Sequence, residues 1–137
     1  MDIRPLTDAY AVSPQIDPSF CSQVAQAGYG TIICNRPDAE NPPGLHAAEI
    51  EAAAQAAGLA FVYLPITHQS LNAENITKQA ELISKADKPV FAYCASGTRS
   101  TILWALGQAG SMPADDLIAA ADQAGYDLRG LRGALGG

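Results

Sequence analysis

Two short runs of consecutive apolar residues constrain the fold of this chain more than any other feature. They are Thr31-Ile32-Ile33-Cys34 and Pro89-Val90-Phe91-Ala92-Tyr93, and each is too short to form a helix of its own. A strand that is apolar at every position is buried on both faces, as in parallel sheets covered by helices. The two runs therefore predict an α/β fold with a central, mostly parallel sheet flanked by helices.

Helical patterns alternate with the strand candidates along the chain. Further strands are predicted at 10–12 and 60–64, and helices at 18–28, 46–57, 72–86, 101–110 and 113–124. This alternation is typical of βαβ units, whose ligands bind beyond the carboxyl ends of the strands. The length of 137 residues predicts one domain over 1–137. The glycine-rich segment 130–137 is expected to fray.

Composition excludes several classes of function. Eight Lys and Arg residues against 14 Asp and Glu give a net charge of -6, which repels polyanions and excludes nucleic acid as a partner. No apolar run approaches the ~20 residues that span a bilayer, so no membrane partner is expected. The first five residues lack a signal-peptide core and the three cysteines are odd in number, which favours a cytoplasmic location. The histidines and cysteines lack metal-ligand spacing, so neither a metal nor another cofactor is expected. Nothing in the sequence indicates the oligomeric state.

One segment contains most of the candidate catalytic residues. Cys94 directly follows the predicted strand, Arg99 lies five positions later, and a helix begins at once. The intervening residues Ala95, Ser96, Gly97 and Thr98 are predicted to bind substrate, since a turn that contains a glycine and a helix N-terminus aim backbone N–H groups at one point. These surroundings favour the thiolate of Cys94, which is the predicted nucleophile. Arg99 would hold an oxyanion with paired N–H donors, and Ser100 would donate to the sulfur or to a leaving group.

The same segment carries a resemblance to a known family. Tyr93-Cys94-Ala95-Ser96-Gly97-Thr98-Arg99-Ser100, together with Ser13-Pro14-Gln15-Ile16, Asn35-Arg36-Pro37-Asp38, the alanine-rich helix to Gly58, and Ala124-Gly125-Tyr126-Asp127-Leu128, resembles the phosphatase-like domain of beta-lactamase hydrolase-like proteins. The resemblance covers most of the chain and implies a protein tyrosine and dual-specificity phosphatase-like fold. It also implies a cysteine-dependent enzyme, because members of the family are described as phosphatase-like or as sulfur transferases. Ala95 departs from the family, which often has arginine there.

The number of residues between Cys94 and Arg99 bears on the choice between phosphatase and sulfur transferase activity. The phosphatases that the fold resembles place five residues between cysteine and arginine, whereas four separate Cys94 from Arg99, as in rhodaneses. The shorter loop favours transfer of sulfane sulfur through a Cys94 persulfide, from a small anionic sulfur donor to a thiol acceptor. The alternative is hydrolysis of a phosphate monoester through a phosphocysteine. A third possibility is a module that binds an anionic or phosphorylated ligand without turnover.

Two further residues are candidates for the site. By the resemblance, His68 stands where dual-specificity phosphatases have an acidic aspartate, and a histidine can donate a proton near neutral pH. A polar loop residue without a chemical role is the equally weighted alternative. Arg36 follows a strand expected beside that of Cys94 and could guide an anionic substrate. An ion pair with Asp38 or Glu40 is slightly favoured for it. His46, at a helix start, is interpreted as structural.

Overall fold

Short strands and helices alternate along the chain, as their apolar patterns predict. The computed structural model describes residues 2–137. The strands are β1 (Arg4–Thr7), β2 (Tyr10–Ser13), β3 (Thr31–Cys34), β4 (Ala60–Tyr63) and β5 (Val90–Tyr93). The helices are α1 (Cys21–Gln26), α2 (Ala47–Ala56), α3 (Ala73–Ser84), α4 (Thr98–Gln108) and α5 (Ala114–Gln123). Single 3₁₀ turns occupy Pro18–Phe20, Asp38–Glu40, Pro43–Leu45 and Arg129–Leu131.

The five strands form one mixed sheet in the order β1-β2-β5-β3-β4. All pairings are parallel except that of β1 with β2. The central strand β5 pairs with β2 on one side and β3 on the other, so that Ser13, Tyr93 and Cys34 lie side by side at the carboxyl edge. The loops that leave these three strands therefore meet at one place.

Helices cover both faces of the sheet, which confirms the predicted α/β class. Alternate residues of the central strands point to opposite faces, so that Ile32 and Phe91 pack in one core and Ile33 and Ala92 in the other. The first core includes Phe20, Val24 and Ile50 from α1 and α2 with the preceding turn, and the second includes Trp104 and Leu117 from α4 and α5. All four residues of β5 are buried. A strand between two cores provides a rigid base for the loop that follows it.

The two chain ends differ from the sequence prediction. Arg4–Thr7 was not among the predicted strands; it contains Pro5, which an edge strand tolerates. The segment 130–137 was expected to fray, yet Leu135 is buried against the second core and its N–H donates to Leu131 O at 3.0 Å. The segment has two large apolar side chains, Leu131 and Leu135, and their packing against the second core explains the docking. None of the helices within residues 2–137 is long and apolar enough to cross a membrane.

Candidate active site

The Cys94–Arg99 loop connects β5 to α4 at the carboxyl edge of the sheet. Cys94 is the first residue after β5 and is completely buried. Gly97 adopts a left-handed conformation with φ of 96°, which L residues other than glycine rarely adopt, and it caps α4. Its N–H donates to Cys94 Sγ across 3.1 Å. The turn thus folds back over the sulfur and gives it a hydrogen-bond donor.

Neighbouring segments hold the carbonyl groups of this loop on its outer side. Ala95 O accepts from the Gln15 N–H at 3.2 Å, and Ser96 O accepts from the Tyr126 hydroxyl at 2.8 Å. In a trans peptide the N–H points away from the C=O. The amides of Ser96 and Gly97 therefore face the concave side of the loop, where Cys94 Sγ lies. Amides arranged in this way form an anion-binding concavity.

Arg99 is oriented by the loop that follows β3 and by the residue after Pro65. Its Nη1 donates to Glu40 Oε2 and to Ile66 O, both at 2.8 Å, and its Nη2 donates to Glu40 Oε1 at 2.7 Å. A guanidinium has five N–H donors in one plane. These three bonds leave the Nε–H and one Nη2–H, which lie parallel along a single edge. That edge is a ready fork for two oxygens of an anion.

The charge of Arg99 is stabilised from two sides. The hydrogen bond to Glu40 is the main reason that its pKa is raised, and the nearby Cys94 raises it further. In return, the hydrogen bond from Arg99 is the main cause that lowers the pKa of the Glu40 carboxyl. Cys94, Arg99 and Glu40 therefore form one coupled group. The sequence predicted the first two members together, but not the third.

Arg36 also reaches Glu40, as the favoured alternative expected. Its Nε lies 3.3 Å from Glu40 Oε1, its Nη2 donates to Glu40 O at 3.1 Å, and its Nη1 donates to Gln15 Oε1 at 3.3 Å. These contacts fix the 3₁₀ turn that carries Glu40 against the Cys94–Arg99 loop. Guidance of a substrate by Arg36 stays a prediction.

Ser100 occupies a different place from the one expected. Its buried hydroxyl donates to Asn35 Oδ1 at 2.8 Å, so its single proton does not serve the sulfur of Cys94. Asn35 also donates to Leu64 O and exchanges two hydrogen bonds with Gln79, which in turn donates to Tyr10 Oη. The Tyr10 hydroxyl donates back to Ser100 O at 2.8 Å. This buried network anchors the first turn of α4 to the sheet and to α3.

His68 and Arg99 line the same cavity. This cavity has a volume of about 400 Å³, lies between the loop after β4 and the start of α4, and includes Glu40 in its wall. His68 is exposed there, as a group that exchanges protons with a ligand must be. A larger cavity of about 600 Å³ lies along β4 and α3, and no residue of the Cys94–Arg99 loop lines it. The smaller cavity is lined by Thr98 and Arg99 of that loop and is therefore the candidate substrate site. His46 Nε2 lies 3.0 Å from Asn41 O at the start of α2, which suits a structural role.

No group of three or more histidine, cysteine or acidic side chains within residues 2–137 has the arrangement of a metal site. A buried sulfur next to inward-facing amides and an oriented arginine can act as a nucleophile on an anion.

Gly97→Ala is expected to damage this loop severely. A Cβ at Gly97 would lie 2.0 Å from Tyr126 Oη, and the positive φ adds backbone strain of about 1–3 kcal/mol. The Tyr126 hydroxyl cannot move away without giving up Ser96 O. We expect a lower melting temperature and slower alkylation of Cys94 by iodoacetamide.

Gly125→Ala is the matched control for this change. Gly125 has the same φ of +96°, but its added Cβ would meet only Arg4 Nη1 at an ordinary 3.5 Å. It should lose stability through strain alone and keep normal alkylation of Cys94. If both variants behaved alike, the contact between Gly97 and Tyr126 would not shape the loop.

The Glu40 pair with Arg99 should make stability depend on pH in the acid range. Because the folded state lowers the pKa of Glu40, its contribution is fully present above the unfolded value of about 4.3 and is lost as pH falls through the folded value. Both side chains are partly exposed, so the contribution at neutral pH is no more than about 1 kcal/mol. Urea unfolding of wild type and Glu40→Gln should differ at pH 7 and converge at acid pH. Curves that stay parallel down to acid pH would contradict this.

Comparisons with known proteins agree with this geometry. A family model described as "Beta-lactamase hydrolase-like protein, phosphatase-like domain" matches residues 2–111. A beta-lactamase hydrolase-like protein of Xylella fastidiosa (strain Temecula1) is 34% identical over 132 residues, which cover 93% of this chain. The chain spans only 30% of the length of that relative.

Solved structures show the same fold. The crystal structure of a candidate phosphatase from Neisseria meningitidis superimposes with a TM-score of 0.87 at 36% identity, over 98% of this chain and 96% of that one. Tk-PTP in its active form superimposes with a TM-score of 0.74 at 15% identity, over 97% and 92% of the two chains. The expected phosphatase-like fold is thereby confirmed. The comparisons support the phosphatase alternative better than sulfur transfer, which none of them shows.

Proposed function

The chain belongs to the phosphatase-like domain family of beta-lactamase hydrolase-like proteins, and from that premise we propose that it hydrolyses phosphate monoesters through a phosphocysteine on Cys94. The observation that carries this proposal is the free edge of Arg99. Two parallel N–H donors remain there after Glu40 and Ile66 O have taken the other three. Such a fork matches two oxygens of a phosphoryl group.

The Cys94–Arg99 loop supplies the rest of the phosphate site. The inward-facing amides of Ser96 and Gly97 can bind a further phosphoryl oxygen, while Ala95 and Thr98 complete the turn around it. These donors are fixed before the substrate arrives, because Gln15 and Tyr126 already hold the carbonyls outward. Preorganised donors of this kind stabilise the charge that develops in the transition state.

The reaction proceeds in two displacements. In the first, the Cys94 thiolate attacks phosphorus, a sulfur–phosphorus bond forms, and the ester oxygen leaves with the bonding electron pair and a proton from His68. In the second, neutral His68 accepts a proton from water as the water attacks phosphorus. The sulfur–phosphorus bond then breaks and returns the thiolate, and inorganic phosphate is released. Thus His68 acts as acid and then as base.

Hydrolysis by His68→Gln should depend on the leaving group. An alkyl or phenyl oxygen needs a proton to leave, so its release should slow by about 10²-fold, a common contribution of general acid catalysis. Nitrophenolate leaves without a proton, so kcat/KM for p-nitrophenyl phosphate, which reports the first displacement only, should be affected much less. His46→Gln, at the other of the two histidines, should leave both rates unchanged. An equal loss of kcat/KM for all esters would show that His68 does not donate a proton to the leaving group.

Sulfane-sulfur transfer is the second candidate, and the four-residue spacing between Cys94 and Arg99 favours it. The persulfide sulfur would occupy the concavity in place of the phosphoryl group. Here a small anionic sulfur donor and a thiol acceptor would replace the phosphate ester. A module that binds a phosphorylated ligand without turnover is the third.

Intact mass spectrometry separates these functions. The protein is mixed with phenyl phosphate and quenched rapidly, and in parallel with thiosulfate. We expect phosphate release and the mass of one phosphoryl group on Cys94 in the first sample. One added sulfur that cyanide removes, without ester turnover, would establish sulfur transfer instead. Phosphate binding without either adduct would establish a binding module.

A further inference from the structure

One peptide group links the Tyr126 hydroxyl to the sulfur of Cys94. It is the peptide between Ser96 and Gly97 in the Cys94–Arg99 loop. Its C=O accepts from the Tyr126 hydroxyl at 2.8 Å, and its N–H donates to Cys94 Sγ across 3.1 Å. Because the C=O and N–H of a peptide point in opposite directions, both bonds depend on which way this peptide faces. Its orientation decides whether the concave side of the loop presents a donor or an acceptor.

The backbone at Gly97 permits this peptide to turn over. Gly97 has φ of 96° and ψ of -7°, which are close to the angles of the third residue in a type II turn. Rotation of the preceding peptide by about 180° would give the third residue of a type I turn, with φ of about -90°. Glycine adopts either sign of φ about equally readily. The reversed loop would place Ser96 O against the sulfur and turn the Gly97 N–H away from the phosphate site.

Tyr126 is held in place where its hydroxyl meets this peptide. Its side chain is buried in the second core, and its N–H donates to Ala121 O at 2.8 Å at the end of α5. The guanidinium of Arg4 lies 5.2 Å from the centre of its ring. Burial raises the pKa of the Tyr126 hydroxyl, so it keeps its proton at neutral pH, while the charge of Arg4 acts in the opposite direction. A nearby cation strengthens a hydroxyl as a donor and weakens it as an acceptor, so this hydroxyl favours the C=O of the peptide over its N–H.

We propose that Tyr126 is a positioning residue for the phosphate site, because its hydroxyl holds the Ser96–Gly97 peptide with the N–H inward. The proposal rests on the hydrolase function above and adds a residue that acts through the loop. Without the hydroxyl, both orientations of the peptide would be populated. The substrate binds the orientation with the N–H inward, so KM would rise as that fraction falls, while kcat at saturation would stay the same.

Replacement of Tyr126 by phenylalanine removes one oxygen atom and keeps the buried ring. We expect Tyr126→Phe to raise KM for p-nitrophenyl phosphate about five- to tenfold, with kcat within about twofold of wild type. The inhibition constant of inorganic phosphate should rise by the same factor. A general loss of folded protein would instead lower kcat and leave KM unchanged. An unchanged KM and inhibition constant would overturn the proposal.

Tyr29→Phe is the matched control for this change. It removes the same atom from a ring that packs against Phe91, at a residue that precedes β3 on the amino side of the sheet. It should change neither KM nor kcat. An equal rise of KM in both variants would attribute the effect to the loss of a tyrosine hydroxyl in general, and the assignment to Tyr126 would fall.

The orientation of the peptide is also observable without an assay of activity. NMR relaxation dispersion of the Gly97 amide should show exchange between two states in Tyr126→Phe and a single state in wild type. A single state in both proteins, even with a raised KM, would mean that the hydroxyl does not act through the orientation of this peptide, and the proposal would fall.

Phosphate binding separates this proposal from the hydrolase function. Dissociation constants of inorganic phosphate for wild type and Tyr126→Phe are measured by calorimetry, which needs no turnover. Weaker binding by the variant, without turnover of any ester by wild type, would support the positioning role and overturn the hydrolase function. Turnover by wild type, with equal dissociation constants and equal KM in the two proteins, would do the reverse. A wild type that neither binds phosphate nor turns over an ester would overturn both.

Discussion

Replacement of Cys94 by serine is expected to lower kcat/KM for phosphate monoesters by about 10⁴-fold or more, since removal of a nucleophile costs up to about 10⁶ in other enzymes. A serine hydroxyl keeps its proton at neutral pH and is a weak nucleophile in that form. The Gly97 N–H that donates to Sγ at 3.1 Å would donate to the hydroxyl oxygen instead, so the loop should keep its shape. The variant should therefore fold and bind phosphate but form no phosphocysteine.

Cys34→Ser is the matched control for this loss. Cys34 is also buried at the carboxyl end of a central strand, and its Sγ donates to Arg36 O at 3.3 Å, a bond that a serine can make. Both variants are assayed with p-nitrophenyl phosphate and quenched for intact mass. Cys34→Ser should retain activity and the phosphoryl adduct. Residual turnover in Cys94→Ser close to wild type would mean that Cys94 is not the nucleophile.

Arg99→Lys is expected to lower kcat/KM by about 10²–10³-fold, the usual cost of losing a preorganised oxyanion donor. Lysine keeps the positive charge but is a point charge with no planar edge. It cannot bind Glu40 through two parallel bonds and still present two parallel donors to phosphate. The loss should therefore appear mainly in kcat, because the transition state carries more charge on the phosphoryl oxygens.

Arg36→Lys is the comparison for the loss at Arg99. Arg36 also pairs with Glu40, but a lysine there can keep that ion pair, which lies at 3.3 Å. Steady-state kinetics of the two variants should differ widely, with only a small loss for Arg36→Lys. Equal losses would indicate that Glu40, rather than the free edge of Arg99, is the group on which turnover depends.

The sequence was sufficient to predict the α/β class of the fold and the Cys94–Arg99 loop at the centre of the candidate site. The apolar runs in β3 and β5 predicted strands buried on both faces, because only a strand between two cores needs no polar side. The loop from Cys94 to Arg99 was recognisable because its residues are contiguous. Local patterns of this kind report on backbone conformation and burial, and these depend mainly on neighbours in the chain.

The partners of that loop could not be read from the sequence. Glu40 lies 59 residues from Arg99, Tyr126 lies 30 residues from Ser96, and Asn35 lies 65 residues from Ser100. Each depends on where a distant loop or helix packs, which neither spacing nor propensity reports. The hydrogen bond from Ser100 to Asn35 was not predicted for the same reason. A serine after arginine could serve the sulfur or the sheet, and only the position of Asn35 decides between them.

The buried network around Asn35 also limits how this chain can evolve. The carbonyl oxygens of Leu64 and Ser100 can only accept hydrogen bonds. They therefore determine which group is the donor in each hydrogen bond of the network. Every donor of Asn35, Gln79 and Tyr10 then has an acceptor within the network. A substitution at one of these residues leaves a buried polar group of another without a hydrogen-bond partner. A single substitution at any of these positions is therefore expected to cost about 1–3 kcal/mol. A replacement that keeps α4 anchored should need coordinated changes at all three positions.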